Sequence, residues 1–297
     1  MATYSSGSNS LPNTGVNKNK GDQSRLYRFW FVPSEFAFDT EADAKDKSKF
    51  EAAVKNGDIR VFPIVHEIEP QNKEKTTKEY SSGHTIKTAK AKRKTRFRVS
   101  ESESTHRNLI AYDGLEGQIY EITEEGNIRG TVTDQGKYAG LPVKIEVNIQ
   151  NTGSFSEIPD TDIDIEYLDY EDWDVRGFCI SPDYSPKAID GVNDIELIVL
   201  AAATTGLTVQ ARVKGETFNL VGLTASNFEI LDSGDNLITI DAVTDANNEG
   251  VYLIDTTTVP MATGSHKIRT KEVGSSLGIV GLAGGYYQGL NGAVAIP

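Results

Sequence analysis

The chain has 297 residues, of which 38% are hydrophobic and 25% charged, and its formal net charge is −13. That length suggests about two domains, and the composition suits a protein able to bury a core. A single cysteine excludes an internal disulfide framework and a cysteine-based zinc site, and no run of about 18 apolar residues is present to make a helical membrane span.

Residues 1–24 are rich in Ser, Asn, Gly and Lys, lack the apolar core of a signal peptide, and read as a flexible arm. Within them Leu11-Pro-Asn-Thr-Gly15 matches the sortase sorting pentapeptide, but at the wrong end of the chain and with neither the apolar span nor the basic tail that sorting needs. Residues 25–38 are aromatic and β-prone and predict a strand interrupted at Pro33. A helix follows, capped by Asp39 or Thr40, with Glu41 and Asp43 in its first turn. Phe50, Ala53 and Val54 lie on one face, and Asn56-Gly57 forms the stop. Residues 59–65 resume as a strand.

Residues 70–98 differ in kind. Ten cations (Lys73, Lys75, Lys78, Lys87, Lys90, Lys92, Arg93, Lys94, Arg96 and Arg98) meet only Glu74 and Glu79, with few large apolar side chains. From Lys92 to Val99 the pattern alternates as a strand does. The segment predicts a long charged loop or hairpin that cannot bury a face alone and is ordered by a partner. Short strands and turns then predict an antiparallel meander over 107–150, with strands at Leu109–Tyr112, Gln118–Thr123 and Ile128–Thr133 and an alternating run from Val143 to Ile149.

Residues 157–174 carry nine carboxylates and no Lys or Arg. Asp162-Ile-Asp-Ile-Glu-Tyr167 alternates strictly, which predicts a strand with one apolar and one acidic face. Asp160, Asp162, Asp164 and Glu171 also match positions 1, 3, 5 and 12 of a calcium-binding EF-hand loop, but Ile165 stands where that loop needs glycine. Alternation explains the spacing equally well, so no metal is assigned. Cys179, among apolar neighbours, reads as a small buried core residue. Beyond a break at 181–187 the charge falls and Gly, Thr, Val and Ala rise. Strands are predicted at 194–200, 207–213, 227–231, 236–243, 250–255 and 265–273, the pattern of an immunoglobulin-like β-sandwich, and the Gly-rich stretch after Ser275 reads as a loose tail or a short final strand.

Charge is unevenly spread. Residues 1–98 carry 19 Lys/Arg against 12 Asp/Glu, a net of +7; residues 99–198 carry 6 against 22, a net of −16; the remainder carries 5 against 9. Such asymmetry suggests self-complementary assembly, or a surface that repels an anion, and argues against a nucleic-acid reader with one basic face. His66, His84, His106 and His266 are scattered without metal-ligand spacing, and no phosphate loop or nucleophile–base constellation appears. No catalytic residue, cofactor or metal is therefore expected.

The order Phe29-Trp-Phe-Val-Pro-Ser-Glu-Phe-Ala-Phe-Asp39, a helix, Gly57-Asp-Ile-Arg-Val-Phe-Pro63, a charged loop and a meander resembles the major tail tube proteins of long-tailed bacteriophages of the siphophage type. The appended immunoglobulin-like domain also resembles tail proteins of lambda-like phages. The resemblance is one of architecture over residues 25–275 rather than of a specific motif. It implies a mainly β fold with three parts: an arm (1–24), a tube-forming β-sandwich or barrel with one flanking helix and a long charged loop (25–187), and an immunoglobulin-like sandwich (188–297).

It further implies a non-enzymatic virion protein of the tail, made in the host bacterial cytoplasm. Six subunits would form a ring whose open sheets join, and rings would stack through the loop and termini. Its partners would be itself, other tail proteins and DNA in transit without sequence-specific binding, with no membrane. On this reading Asp162, Asp164 and Glu166 line the channel, and Lys73, Lys75, Lys78, Lys87, Lys90, Lys92, Arg93 and Lys94 contact neighbouring subunits. The alternatives are another virion part (capsid decoration, tail terminator or baseplate subunit) or a surface adhesin or carbohydrate-binding module.

Overall fold

The computed structural model describes residues 25–297 apart from 34, 73–75, 80–84, 90–92, 101–102, 152, 154–158, 170–175, 215–217, 246, 272–278, 283–284 and 290–291; for 76–79 and 85–89 only the backbone is described. The arm and its pentapeptide lie outside the described residues. The fold is mainly β and forms two compact units, one of residues up to Glu51 with Asp58–Ile189, the other of Ala52–Gly57 with Asp190–Pro297.

Up to Ile189 the chain runs β1 (Leu26–Val32), β2 (Ala37–Phe38), α1 (Glu41–Lys45), α2 (Lys47–Asn56, counted with the first unit up to Glu51), β3 (Arg60–Val61), β4 (Glu67–Pro70), β5 (Thr76–Glu79), β6 (Thr85–Ala89), β7 (Lys94–Val99), α3 (Glu103–Ile110), β8 (Glu116–Thr123), β9 (Ile128–Val132), β10 (Tyr138–Ala139), β11 (Leu141–Val147), β12 (Thr161–Tyr167) and β13 (Gly177–Ile180). The expected single helix is two. Thr40 caps α1 by accepting from the Asp43 amide, and Asp46 interrupts the helix in extended backbone while its Oδ1 takes the amide and hydroxyl of Ser48. Gly57 closes α2 at φ +78, a conformation that favours glycine.

Sheet closure organises this unit. β1 pairs with β8, β8 with β11, β11 with β12 and β12 with β7, all antiparallel. The run from Arg60 to Pro70 then serves both ends. Its first half pairs with β1, extended by the Phe62 and Val65 amides donating to the Phe29 and Tyr27 carbonyls, and its second half, as β4, pairs with β7. The sheet thereby closes into a barrel, and the expectation of open sheets awaiting neighbours is corrected. Closure removes most edges, and the outer edge left on β4 carries Glu67, Glu69 and Pro70, all of which discourage strand addition. β9, β10, β2 and β13 extend the sheet beyond β8.

Strand alternation gives the barrel its two surfaces. Phe29, Phe31, Phe62, Phe97, Val99, Ile119, Leu141, Val143, Ile145, Ile163 and Ile165 fill the interior. Gly117 sits where Phe31 fills that space: a Cβ there would lie 2.5 Å from the Val32 carbonyl and 2.6 Å from the Phe31 ring. The opposite face of β1 and β8 packs Trp30 and Tyr120 around Phe50 of α2, with ring centroids 4.8 and 6.0 Å away.

Two local expectations are overturned. Leu109–Tyr112 is not a strand: Leu109 belongs to α3, whose buried face holds His106 and Leu109, and Glu103 bonds Arg107 one turn on. Cys179 is exposed, because on β13 Phe178 and Ile180 take the buried side and alternation turns the residue between them outward.

The second unit contains β14 (Val192–Ala203), β15 (Gly206–Val213), β16 (Phe228–Leu231), β17 (Leu237–Ile238), β18 (Ala242–Thr244), β19 (Val251–Asp255), β20 (Gly264–Thr270), β21 (Ile279–Leu282), β22 (Gly285–Gly289) and β23 (Gly292–Ile296). A six-stranded sheet, β18-β19-β15-β14-β22-β21, and a four-stranded one, β17-β16-β20-β23, share one apolar core and so form a β-sandwich. The Gly-rich stretch is more than a loose tail. It supplies β21, β22 and β23, and β22 pairs in parallel with β14, the first strand of the unit.

Gly117→Ala is expected to lower stability by about 2–3 kcal/mol through overpacking of the barrel wall. The check is the urea midpoint, with m unchanged; a midpoint within error of the parent would contradict the close packing described.

Candidate assembly surface

The barrel exterior outside the α2 contact is built from four neighbouring strands, β11, β12, β7 and β4. The outward positions of β12 are Asp162, Asp164 and Glu166, and those of β7 are Lys94, Arg96 and Arg98. The register sets them directly opposite one another: Asp162 against Arg98, Asp164 against Arg96, Glu166 against Lys94. Lys144 and Glu146 of β11 stand opposite Glu166 and Asp164, and Glu67 and Glu69 of β4 stand opposite Arg98 and Arg96. Opposite charges placed across a strand pair attract, and columns of carboxylates and cations alternate across β4, β7 and β12, while Glu146 of β11 faces the like charge of Asp164 with Lys94 bridging the two.

The contacts are close. Arg96 grips Asp164 through Nε at 2.8 Å and a terminal nitrogen at 3.2 Å, and Lys94 Nζ adds a third contact at 3.3 Å while donating to Glu146 at 2.9 Å. Arg98 donates to Asp162 at 3.0 Å and to Glu67 at 2.6 Å, and lies 3.3 Å from Asp160. Asp164 is only 5% exposed. Burial pushes its carboxyl up, but hydrogen bonds from Arg96 and Lys94 more than reverse this and hold it below the usual carboxylate range. Hydrogen bonds to Glu146, Asp164 and Asp162 likewise hold Lys94, Arg96 and Arg98, respectively, more firmly protonated than usual.

The acidic face of β12 is thus present but is not a bare anionic wall. The six outward residues of β7 and β12 cancel in charge, and Glu67 and Glu69 leave an excess of two negative charges at the β4 edge. The EF-hand spacing is absorbed by the same pairing, since Asp162 and Asp164 are engaged by arginines, while Glu171 lies outside the described residues. Among the described residues no group of three or more His, Cys, Asp or Glu could hold a metal ion. None of the described helices is long and apolar enough to cross a membrane.

The second feature is a hairpin that continues out of this surface. Pro70 of β4 faces Thr95 of β7, and Thr76 of β5 faces Ala89 of β6, six residues further along each arm. The two ladders therefore share one register, with a one-residue shift only between Thr76 and Thr77. Beyond the barrel, β5 and β6 pair with each other and with no other strand among the described residues. Of the basic positions expected to contact neighbours, Lys78 and Lys87 lie on β5 and β6, Lys73, Lys75, Lys90 and Lys92 lie outside the described residues, and Lys94 is part of the ladder.

Arg93 turns inward at the barrel mouth. It lies 3.7 Å from the buried Glu121 of β8 and 4.3 Å over the ring of Tyr167. Tyr167 Oη donates to the same Glu121 oxygen at 2.5 Å. Sequence reading missed this cluster, although a signal was there: Glu121 occupies the inward parity of β8, two residues after Ile119.

Asp164→Ala takes from Arg96 its closest partner and leaves Lys94 with Glu146, and is expected to cost about 2 kcal/mol, with much less lost in the double variant Asp164→Ala/Arg96→Ala than the single changes add up to. Because folding lowers the Asp164 pKa, its contribution is complete above the ordinary value of 3.8 and is lost as pH falls through and below it. Denaturant titrations from pH 6 to about pH 2 should therefore show a steeper acid loss in the parent than in Asp164→Ala; parallel curves would contradict the pairing. No protein-family model matches the chain, and no curated protein matches it.

Proposed function

We propose that the chain is a non-enzymatic structural subunit that polymerises with copies of itself, as in the tail tube of a long-tailed bacteriophage. The observation that carries this reading is the hairpin formed by β4–β5 and β6–β7. An isolated two-stranded ribbon is marginal in water. This one is in step with the barrel ladder where Thr76 faces Ala89, and the residues from 70 to 98 carry ten cations against Glu74 and Glu79. Arms of this length span about 30 Å when extended, enough to lie along a neighbouring subunit. Residues 99–198, with a net charge of −16, give neighbouring copies a complementary surface.

In such a tube the ladder face is assigned to the channel, with Asp162, Asp164 and Glu166 on the wall. The physical reason is sharper than plain repulsion. Lys94, Arg96 and Arg98 are already bonded to carboxylates, so DNA phosphates meet cations whose charge is spent within the sheet. The residual negative charge at Glu67 and Glu69 adds weak repulsion, and DNA slides without being held. The C-terminal sandwich is assigned to the outside of the tube, and stacking of rings to the hairpin. The site of action on this reading is the virion.

Electron microscopy of concentrated, negatively stained protein tests the proposal. Hollow tubes or stacked rings of uniform diameter are expected. Reversing charge at Lys87, Lys90 and Lys92 to Glu should abolish them while leaving the fold intact by circular dichroism. A parent protein that stays monomeric even when seeded would overturn the reading.

A further inference from the structure

The cluster at the barrel mouth assigns Arg93 a role different from docking. We infer that Arg93 is a positioning residue that ties the long hairpin to the barrel and fixes where the hairpin leaves it. The assignment deepens the assembly reading, but its geometry stands without it.

Three observations converge. The first is topological. The carbonyl of Arg93 accepts the Tyr167 amide at 3.0 Å, which adds one rung to the β12–β7 ladder just beyond Glu166 against Lys94. Tyr167 is the last residue of β12, so Arg93 marks the point at which the returning arm of the hairpin loses its neighbour strand.

The second is side-chain geometry. Arg93 shares the parity of Thr95, Phe97 and Val99, the inward positions of β7, and so enters the mouth rather than joining the exterior ladder. Its guanidinium covers the Tyr167 ring at 4.3 Å and reaches Glu121 at 3.7 Å. Glu121 is on β8, separated from β7 by β11 and β12 in the barrel order. The side chain therefore spans the mouth instead of pairing with an adjacent strand.

The third is burial. Glu121 and Tyr167 are each 4% exposed. A buried carboxylate needs a cation and hydrogen-bond donors. Tyr167 supplies the donor at 2.5 Å and Arg93 supplies charge from the hairpin base. Glu121 also stands opposite Arg129 of β9, which adds positive charge to the same end of the barrel. A planar guanidinium can stack on the phenol and face the carboxylate at once, which an ammonium cannot do as well. On the other arm, Asn72 Oδ1 accepts the Lys94 amide and Gln71 donates to the Lys94 carbonyl, so both arms are fastened at one level.

Residue-resolved amide hydrogen exchange on the unassembled full-length chain tests this. In Arg93→Met, protection of the Tyr167, Gln71 and Lys94 amides at the hairpin base should fall by about tenfold or more, with β1, β8 and β11 unchanged. Arg93→Lys should recover part of the protection. Glu121→Gln should loosen the hairpin to a similar degree, and the double variant should add little to either single change. Unchanged protection at the hairpin base, or an equal fall throughout the barrel, would overturn the assignment. Tube formation is scored separately. A parent chain that makes no tubes while the exchange pattern holds sinks the assembly reading and leaves the Arg93 role standing.

Discussion

The pairing of β7 with β12 in one register is the constraint on which the first unit depends. Successive side chains of a strand point to opposite faces, so one register fixes two surfaces at once. It places Phe97 against Ile163 inside the barrel and Arg98 against Asp162 outside it. A slip of one residue would bring arginines into the core and leave isoleucines in water. The ionic ladder thus does more for specificity than for net stability. Partly exposed ion pairs contribute little on average, but a wrong register forfeits all of them and buries charge as well.

Much of this was legible in the sequence because both strands carry strict alternation. The acidic strand, the basic strand and the hairpin between 70 and 98 follow from period-two patterns and charge runs. What the pattern could not supply was which strand faces which. Register is non-local: β7 and β12 are separated by α3 and four further strands, β8 to β11, and only closure of the barrel brings Arg96 to Asp164. For the same reason β12 alone reads as an acidic wall, while the sheet interleaves it with cations.

The errors have local causes. Leu109–Tyr112 looks like a strand when read alone, and its helix is visible only from Glu103, Arg107 and the buried pair His106 and Leu109 upstream. Asp46 broke an otherwise continuous helical pattern by competing for the backbone through its side chain. Cys179 has apolar neighbours on both sides, but neighbours in a strand face the opposite way, so apolar flanks argue for exposure. The Gly-rich C-terminal stretch looks loose because of its glycines, yet Val280, Tyr287, Val294 and Ile296 reach the core, and glycine suits strands that lie close to others, as Gly289 does against Thr270 and Leu197.

The parallel pairing of β14 with β22 has a consequence for biosynthesis. The first strand of the sandwich pairs early with β15 but gains its second neighbour only when residues 285–289 have been made, after every other strand of the six-stranded sheet. The four-stranded sheet likewise gains its outer strand, β23, after its other three. The barrel strands, by contrast, are all complete by Tyr167. The nascent chain therefore carries a finished barrel while the sandwich is still open, and a chain cut before residue 285 yields a subunit whose barrel is sound but whose sandwich exposes its core.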